Sequence, residues 1–409
     1  MIEESKLPKG WEVKKLGEVC LTTSGGTPNR GNKEFYEGAI PWVKSGELDR
    51  GLILETEERI SEEAIKNSSA KIFPKGTLLI ALYGATIGKL AFLGIDAASN
   101  QAVCGIFKSE KINSNYLFNF LFYKKPTLVK QSIGGAQPNI SQGILKNLEI
   151  PIPSIDEQQK IVTKIEELFS QLENGKQQLL TAQKQLKTYR QSLLKSAFEG
   201  KLTNQNLKAG ELPNGWKTLK VLELGEISTG STPSKSNPAF YSNKFPFYKP
   251  TDLEAGYNVR KSSDNLSDLG IKEARFLPAN SILVTCIGAT IGKTGIIRRE
   301  GASNQQINTI IPSKNLDPNF IYYQAIAPKF QKTIKDNYSQ TTLPILNKSK
   351  FQNLEMNICS LPEQQKIVAI LESKLTICDK IEETIKTSLQ QSETLRQSIL
   401  KKAFEGRLV

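Results

Sequence analysis

The sequence predicts an α+β protein in which two similar mixed α/β domains are joined by two long helices. The second half of the chain repeats the first at an offset of about 205 residues. Each repeat begins with short β-branched runs bounded by Gly, Pro and Asn, which are typical of strands. Each repeat ends with apolar residues spaced by seven, which are typical of a coiled coil. We expect the α/β domains at 1–153 and 213–359, the helices at 154–202 and 360–409, and a linker at 203–212.

The repeat is uneven along the chain. Identity is highest in motifs that flank the predicted helices and low between about 45 and 70 and in the corresponding part of the second half. One part of the repeat is therefore held constant while another differs between the copies. The repeated motifs are Gly10-Trp11 and Gly215-Trp216, Thr27-Pro28 and Thr232-Pro233, GATIGK at 84–89 and 288–293, SNQ at 99–101 and 303–305, EQQKIV at 157–162 and 363–368, and AFEG at 197–200 and 403–406.

Most elements of the α/β domains are expected to be strands. The segment KIFPKGTLLIALYGATIGKLAF, which begins at Lys71, shows the pattern of short apolar runs between turn residues. Helical patches are expected near 114–124 and 317–332. We therefore predict small domains that are mostly sheet.

Each predicted helix needs a partner helix. Ser154 and Ser360, each three residues before a Glu, fit capping boxes that begin the helices. A helix of about 44 residues would be about 66 Å long, so it cannot bury its apolar stripe against its own domain. A pseudo-two-fold axis between the copies would make the two helices antiparallel and the organisation circular, with the chain termini close together. Gly175 falls on the predicted seam, where it either lets the partner approach closely or is a tolerated defect that costs about 1 kcal/mol relative to Ala. The predicted seam residues are Ile165, Leu168, Leu172, Leu179, Ala182, Leu186, Tyr189 and Leu193 in the first helix, and Leu371, Cys378, Ile381, Ile385, Leu395 and Ile399 in the second.

The composition excludes several functional classes. The chain contains no histidine, which removes the commonest general base and metal ligand. The five cysteines stand far apart without a C-x-x-C pair, so we expect buried free thiols and neither disulfides nor a metal site. No run of eighteen apolar residues occurs and the N-terminal residues are polar, so we expect no membrane partner, no signal peptide and a cytoplasmic protein. A net charge of +13 with a pI near 9.3 indicates a polyanionic partner, usually nucleic acid.

The duplication and the charge together predict how double-stranded DNA would be bound. Each of two unlike domains on a stiff helical spacer would read a short sequence, and the helices would fix the distance between the reading surfaces. Surfaces one DNA turn apart, about 34 Å, would face the same side of the duplex. Because the domains differ, we expect a bipartite, asymmetric target with an unread spacer.

The order of the motifs resembles the specificity subunit of type I restriction–modification systems. The resemblance rests on SGGTP at 24–28 and STGSTP at 228–233, on GATIGK followed by SNQ, and on EQQKIV and AFEG at the helix ends, and it covers nearly the whole chain. It implies that the α/β domains are target-recognition domains and that the chain is a non-catalytic subunit. It also implies that two methyltransferase subunits bind along the helices and that restriction subunits join them to make the endonuclease. S-adenosylmethionine would be bound by the methyltransferase, which methylates adenine at N6, and this chain would bind no cofactor.

The two GATIGK turns are candidate phosphate contacts. They lack the spacing of a P-loop, because three residues separate the glycines where a P-loop has four. A glycine turn between strands would present Thr86 and Lys89 in the first copy, and Thr290 and Lys293 in the second. These side chains either contact DNA phosphates, which would position the domain without reading sequence, or belong to a tight turn only.

Side chains that pair with base edges are candidates for direct readout. The strongest candidate is the loop at 131–140, which carries amides on a Gly-Gly stem, and its counterpart at 337–346 differs in chemistry, as unlike half-sites require. Asn100-Gln101 is the same in both copies, which favours a structural amide or a backbone contact. The candidates are Arg30, Lys44, Ser45, Glu47, Tyr83, Asn100, Gln101, Gln137 and Asn139 in the first domain, and Lys235, Lys249, Thr251, Asp252, Asn304, Gln305, Gln340 and Thr341 in the second.

Two other functional classes are alternatives. A self-sufficient methyltransferase or nuclease is disfavoured, because DPNF at 317–320 and NPAF at 237–240 lack the second proline of the amino-methyltransferase motif and no glycine-rich cofactor motif accompanies them. We expect Asp317 to lead into a helix and Asn237 to lie in a loop. A structural coiled-coil protein whose domains bind other proteins would show no salt-dependent affinity for DNA.

Overall fold

The computed structural model describes residues 7–132, 139–204, 206–208, 210–339 and 343–409. The chain divides into two compact units, one formed by Met1–Leu179 with Thr387–Val409 and the other by Leu180–Lys386. Each unit contains one α/β domain, the beginning of the helix that follows that domain, and the end of the other long helix. We call the α/β domains the first and the second head.

The first head is built on three sheets. Its elements are β1 (Glu12–Lys15), α1 (Leu16–Val19), β2 (Thr22–Ser24), β3 (Ile40–Val43), β4 (Gly51–Ile53), β5 (Glu58–Ile60), α2 (Glu62–Lys66), β6 (Ile72–Phe73), β7 (Leu78–Ala81), β8 (Leu90–Leu93), β9 (Ala97–Ser99), β10 (Val103–Ile106), α3 (Ser114–Gln131), α4 (Gln142–Lys146) and β11 (Glu149–Ile152), followed by the long helix α5 (Ile155–Phe198). The sheets have the orders β2-β10-β7-β8-β4, β5-β3-β9-β6 and β1-β11. The last pair is antiparallel, so it joins the beginning of the head to its end.

The second head repeats this plan with fewer strands in the larger sheets. Its elements are β12 (Lys217–Lys220), β13 (Gly225–Thr229), β14 (Tyr241–Tyr248), β15 (Asp264–Leu266), α6 (Asp268–Glu273), β16 (Ile282–Thr285), β17 (Thr294–Ile296), β18 (Ala302–Ser303), β19 (Ile307–Pro312), α7 (Pro318–Ala325), α8 (Pro328–Asn337), α9 (Lys348–Gln352) and β20 (Glu355–Ile358), followed by the long helix α10 (Leu361–Phe404). The sheets have the orders β13-β19-β16-β17, β15-β14-β18 and β12-β20. The α+β class is therefore confirmed.

One predicted helix of the second head is divided in two. We expected a single helical patch near 317–332, but α7 ends at Ala325 and α8 begins at Pro328. Proline has no backbone N–H and is well suited to the first turn of a helix, so it begins a new helix here.

The beginning of each long helix is fixed to the head that precedes it. In the first unit the buried Gln158 accepts a hydrogen bond from Asn113 N at 2.8 Å, and in the second Gln364 accepts one from Asp317 N at 2.8 Å. The Ser154 hydroxyl accepts from the backbone N–H of Glu157 at 3.3 Å, as the capping box predicts. These contacts give the repeated EQQ motif a structural role.

The end of each long helix lies in the core of the other head. Phe404, at the end of α10, packs against Tyr116 and Phe120 of the first head with ring centroids 5.2 and 5.1 Å apart. Phe198, at the end of α5, packs against Phe320 of the second head at 5.2 Å. The AFEG motif is therefore an anchor, and the circular organisation is confirmed.

The tail that follows α10 also returns to the first head. Gly406 lies so close to Pro8 that a Cβ on the glycine would come 2.2 Å from the proline Cγ. The predicted proximity of the two ends of the chain therefore holds for the described residues.

Within each unit the two helices are antiparallel. In the first unit Phe169 contacts Arg396, whereas the later residue Lys176 pairs with the earlier Glu393 at 3.8 Å. In the second unit Arg190 pairs with Asp379 at 2.7 Å, and the later Phe198 lies in one apolar cluster with the earlier residues of α10. The predicted pairing of the helices is therefore observed in both units.

Part of the predicted seam is corrected. Tyr189, Ile381 and Leu395 are 46, 43 and 50 % exposed, so they lie outside the seam. An α-helix drifts by about 20° per heptad relative to a strict seven-residue repeat, and this drift turns some predicted positions toward solvent. A Cβ on Gly175 would meet no atom within 4 Å, so this glycine allows no close approach and is a tolerated defect. Ile165, Leu193, Leu371, Cys378, Ile385 and Ile399 are buried, and Leu168, Leu172, Leu179, Ala182 and Leu186 are half-buried.

Two expectations from the composition can be compared with the fold. All five cysteines are buried and free, and burial raises the pKa of the Cys286 and Cys359 thiols to about 12. In the part of the chain that the structure describes, every helix is too short or too polar to cross a membrane.

Replacing Phe404 with Ala should destabilise the first unit by about 3–5 kcal/mol, because it removes a buried aromatic ring from the core of the head. Phe276→Ala is the matched control, since Phe276 is 51 % exposed. Urea denaturation followed by tryptophan fluorescence measures both variants. Equal losses of unfolding free energy in the two variants would contradict the anchoring role of Phe404.

Candidate nucleic-acid interface

In the first head the SGGTP and SNQ motifs pack directly against each other. Gly26 N donates a hydrogen bond to Ser99 O at 2.8 Å. A Cβ on Gly25 would come 2.2 Å from the same carbonyl oxygen, so no larger residue fits without a shift of the backbone. The Thr27 hydroxyl donates to the Gln101 amide oxygen. The motifs are therefore two halves of one local structure.

The second head contains the same local structure. A Cβ on Gly230 would come 2.1 Å from Asn304 O, and the Thr232 hydroxyl donates to the Gln305 amide oxygen. We call this structure the repeated frame, and it comprises 24–28 with 99–101 in the first head and 228–233 with 303–305 in the second.

Each repeated frame is continuous with the strand that carries a candidate lysine. In the first head Asn100 N donates to Val43 O at 3.0 Å, and Lys44 follows directly. In the second head Asn304 N donates to Tyr248 O at 3.1 Å, and Lys249 follows. Lys44 and Lys249 are therefore held at the same place in their heads.

These lysines are paired with carboxylates. Lys44 Nζ lies 2.8 Å from a Glu57 oxygen and 3.0 Å from a Glu58 oxygen, and Arg30 reaches Glu58 at 2.6 Å. Hydrogen bonds from Arg30 and then from Lys44 lower the pKa of the Glu58 carboxyl. In the second head, Lys249 forms the corresponding ion pair with Asp264.

The lysines of the two GATIGK turns are paired in the same way. Lys89 contacts the carboxylate of Asp49, and Lys293 contacts that of Glu254. The Thr86 hydroxyl donates to Tyr83 O at 2.8 Å, inside the turn. Both turns therefore place a lysine at the surface next to a carboxylate.

The described end of the candidate amide loop lies beside the GATIGK turn in each head. In the first head Asn139 forms an antiparallel bridge with Tyr83. In the second head Ile345 forms the corresponding bridge with Ile287. Asn139 and Ile345 therefore lie next to the GATIGK turns of their heads. Gln137, Gln340 and Thr341 lie outside the described residues.

Two candidate carboxylates serve the fold of their own heads. Glu47 is only 4 % exposed and accepts from Glu57 N at 3.1 Å. Asp252 accepts from Lys249 N at 2.7 Å and from Ser263 N at 3.0 Å. The expectation that they contact bases is corrected, because these oxygens hold the backbone beside the candidate lysines.

The amides of the SNQ motif also have structural roles. Asn304 is 9 % exposed, and its amide donates to Gln306 Oε1 at 2.9 Å. Asn100 is half-buried, and its side-chain oxygen is fully buried. The structural interpretation of the asparagines is therefore favoured over direct readout.

The other described candidates lie at or near the surface. Arg30, Tyr83, Gln101, Asn139, Lys235, Thr251, Thr290 and Gln305 are exposed, and Lys44, Ser45, Thr86, Lys89, Lys249 and Lys293 are half-buried.

The residues rejected as catalytic have the structural roles expected of them. The Asp317 carboxylate caps α7 by accepting from Asn319 N at 2.8 Å and Phe320 N at 3.2 Å. Asn237 accepts from Ala239 N at 3.2 Å and begins a short turn of helix.

Sequence reasoning missed the carboxylates that pair with the lysines. Asp49 and Glu254, and likewise Glu58 and Asp264, occupy corresponding places in the two halves. The signal was available, since an acidic residue recurs at each place although the surrounding sequence differs. Only the repeat, and no motif, could have revealed it.

Two heads with a common frame, each completed by the ends of paired helices, define a duplicated recognition protein. Residues 8–182 and 213–391 match the family model described as type I restriction modification DNA specificity domain. The chain therefore belongs to this family, and its role is that of a DNA sequence-specificity subunit.

Curated relatives and solved structures agree with this assignment. The chain is 28 % identical over 421 residues to the type I restriction enzyme MjaIX specificity subunit of Methanocaldococcus jannaschii, with 98 % of this chain and 94 % of the relative covered. It is 32 % identical over 202 residues to the HindI specificity subunit of Haemophilus influenzae, with 48 and 42 % covered. The HsdS subunit of Thermoanaerobacter tengcongensis shares the fold, with a TM-score of 0.67, 20 % identity and 98 % of each chain covered. A chain from a structure of type I restriction–modification complex assembly gives a TM-score of 0.76 at 20 % identity, with 98 % of this chain and 99 % of that chain covered.

Proposed function

We propose that each head reads one half of an asymmetric, bipartite site in double-stranded DNA. The observation that carries the proposal is that both heads keep the repeated frame and the GATIGK turn, while the sequence of the loop that follows differs. Both loops carry Gln, Asn and Pro, but only the loop at 131–140 has a Gly-Gly pair and only the loop at 337–346 has threonines. A constant frame with unlike loops suits two readers of unlike sequences.

The paired lysines act as phosphate contacts that position each head. Lys89 and Lys293 lie on turns next to Asn139 and Ile345, and each is paired with a carboxylate at the surface. A DNA phosphate would compete with that carboxylate for the ammonium group. Such contacts strengthen binding to every sequence alike and make it depend on salt.

The helix pair sets the spacer between the half-sites and binds two methyltransferase subunits. The binding of a methyltransferase is supported by three apolar residues on one half of the helix pair that are 43 to 55 % exposed, namely Tyr189, Ile377 and Ile381. Exposed apolar side chains that lie close together are typical of protein interfaces. The methyltransferase binds S-adenosylmethionine and methylates adenine at N6, and restriction subunits complete the endonuclease.

The chain itself is non-catalytic in this proposal. The self-sufficient enzyme is the alternative from another class, and an assay of the purified chain for methylation or cleavage separates the two. A protein-binding scaffold is the third possibility, and it requires that the methyltransferase complex bind DNA without dependence on salt.

Co-expression of the chain with its methyltransferase partner should methylate adenines in one bipartite, asymmetric motif, which sequencing of methylated DNA detects. Replacing 1–153 with the corresponding head of another family member should change one half of the motif and leave the other half and the spacer unchanged. The unexchanged second head is the internal control. A change in both halves would contradict the modular assignment.

Lys89→Gln should weaken binding of the methyltransferase complex to specific and non-specific DNA by the same factor. The slope of log K against log salt should become less steep by about one, because one phosphate contact is lost. Lys164→Gln is the matched control, since Lys164 pairs with Glu167 on the surface of α5 at 2.8 Å. Binding isotherms at several salt concentrations measure both variants. An unchanged slope for Lys89→Gln would exclude a phosphate contact.

A further inference from the structure

The second head makes a side-chain contact with its helix for which the first head lacks the residues. In the second head, the Tyr257 hydroxyl donates a hydrogen bond to the Glu372 carboxylate on α10. Burial, followed by this hydrogen bond, raises the pKa of Tyr257 to about 12. The phenol is therefore neutral at physiological pH and acts as the donor.

The tyrosine is held in place from three sides. Its ring stacks on Tyr323 with centroids 5.4 Å apart, and Tyr322 approaches edge-on at 5.6 Å. The Arg298 guanidinium lies 4.5 Å from the centre of the ring and donates to Tyr257 O at 3.1 Å. Arg298 also donates to Asn319 Oδ1 at 2.9 Å, at the beginning of α7. The hydroxyl therefore has little freedom to point elsewhere.

The corresponding part of the first head is built differently. β4 leads from Gly51 directly to Ile53, whereas the second head has one more residue between Gly256 and Val259, and Tyr257 follows that glycine. Ile53 pairs with Leu93, just as Val259 pairs with Ile297, so the two heads share the same register after the insertion.

Arg298 also has no equivalent in the first head. It follows Ile297 as Gly94 follows Leu93, and a Cβ on Gly94 would come 2.5 Å from the Leu54 side chain. The first head exposes Leu52 at this place, at 51 %. The helical carboxylate is repeated: Glu166 on α5 corresponds to Glu372, and Glu166 is exposed.

We propose that Tyr257 is a positioning residue, which fixes the orientation of the second head on α10 through Glu372 and so restricts the spacer length that the protein accepts. This inference rests on the proposed function of the helix pair as the spacer. Both heads bind the buried glutamine at the beginning of their helix through a backbone N–H, Asn113 N to Gln158 and Asp317 N to Gln364. The second head adds the hydrogen bond of Tyr257 to Glu372, whereas the first head adds that of Trp11 to Glu157. Removing the bond leaves the base-reading surface unchanged. It makes only the orientation of the second head relative to α10 less fixed.

The test measures spacer discrimination by the complex of the full chain with its methyltransferase. The plasmids carry the bipartite motif with its natural spacer and with spacers up to two base pairs shorter or longer. Sequencing gives the fraction of each site that the complex has methylated. Tyr257→Phe should lower the preference for the natural spacer by about tenfold, the factor that an ordinary charge-assisted hydrogen bond is worth. The sequences of the half-sites should not change.

Glu372→Ala provides an independent variant at a half-buried helical position where alanine favours the helix. It should relax the spacer as Tyr257→Phe does, and the double variant should relax it no further, because both changes remove the same bond. Glu166→Ala is the matched control on the other helix and should keep the natural preference.

The outcomes separate this inference from the proposed function. A wild-type complex with no fixed bipartite motif would overturn both. A wild-type complex with a strict spacer, together with unchanged discrimination in Tyr257→Phe and Glu372→Ala, would overturn only the positioning role of Tyr257. Additive effects in the double variant would show that the two residues act separately, and they would overturn it as well.

Discussion

A 44-residue helix with an apolar stripe cannot bury that stripe against the small head that precedes it, and the rest of the structure depends on this constraint. Each long helix begins on its own head through a buried glutamine and ends in the core of the other head through a phenylalanine. Folding of either head therefore requires residues from both halves of the chain. The strict copying of the EQQKIV and AFEG motifs follows from this shared core, whereas the surfaces of the heads are free to differ.

In both heads, candidate lysines are paired with carboxylates in the absence of DNA. The chain has a net charge of +13, yet the lysines placed by the repeated frame and by the GATIGK turns are all in ion pairs. Exposed pairs of this kind contribute little to stability, with a median below about 1 kcal/mol. Their more important effect is on geometry, because a paired lysine keeps one rotamer and a defined position. In the proposed function, a DNA phosphate that replaced the carboxylate would meet a side chain already in place.

The sequence predicted the class, the repeat, the helix pair and the circular order, because each leaves a periodic or duplicated pattern. It predicted the role of Asp317 as a cap, because Asp followed by Pro is a strong signal for the beginning of a helix. It assigned Tyr189, Ile381 and Leu395 to the seam wrongly, since a seven-residue pattern ignores the drift of the helix. It could not reveal that Glu47 and Asp252 bind backbone N–H groups, because the distant residues that they contact are brought near only by the fold. The inserted Tyr257 was overlooked for a similar reason, since an extra residue in a variable region carries no signal until its helical partner is known.

A circular permutation tests the shared core most directly. A chain that begins at 213, continues through 409, passes through a short polar linker and ends with 1–202 keeps every contact of Phe198 and Phe404 with the heads. If each head is completed by the other helix, this permuted chain should unfold in urea with the same midpoint as the natural chain, to within the effect of the linker. With the methyltransferase it should also methylate the same bipartite motif. A permuted chain that fails to fold, or that methylates a motif with altered half-sites, would contradict the circular account.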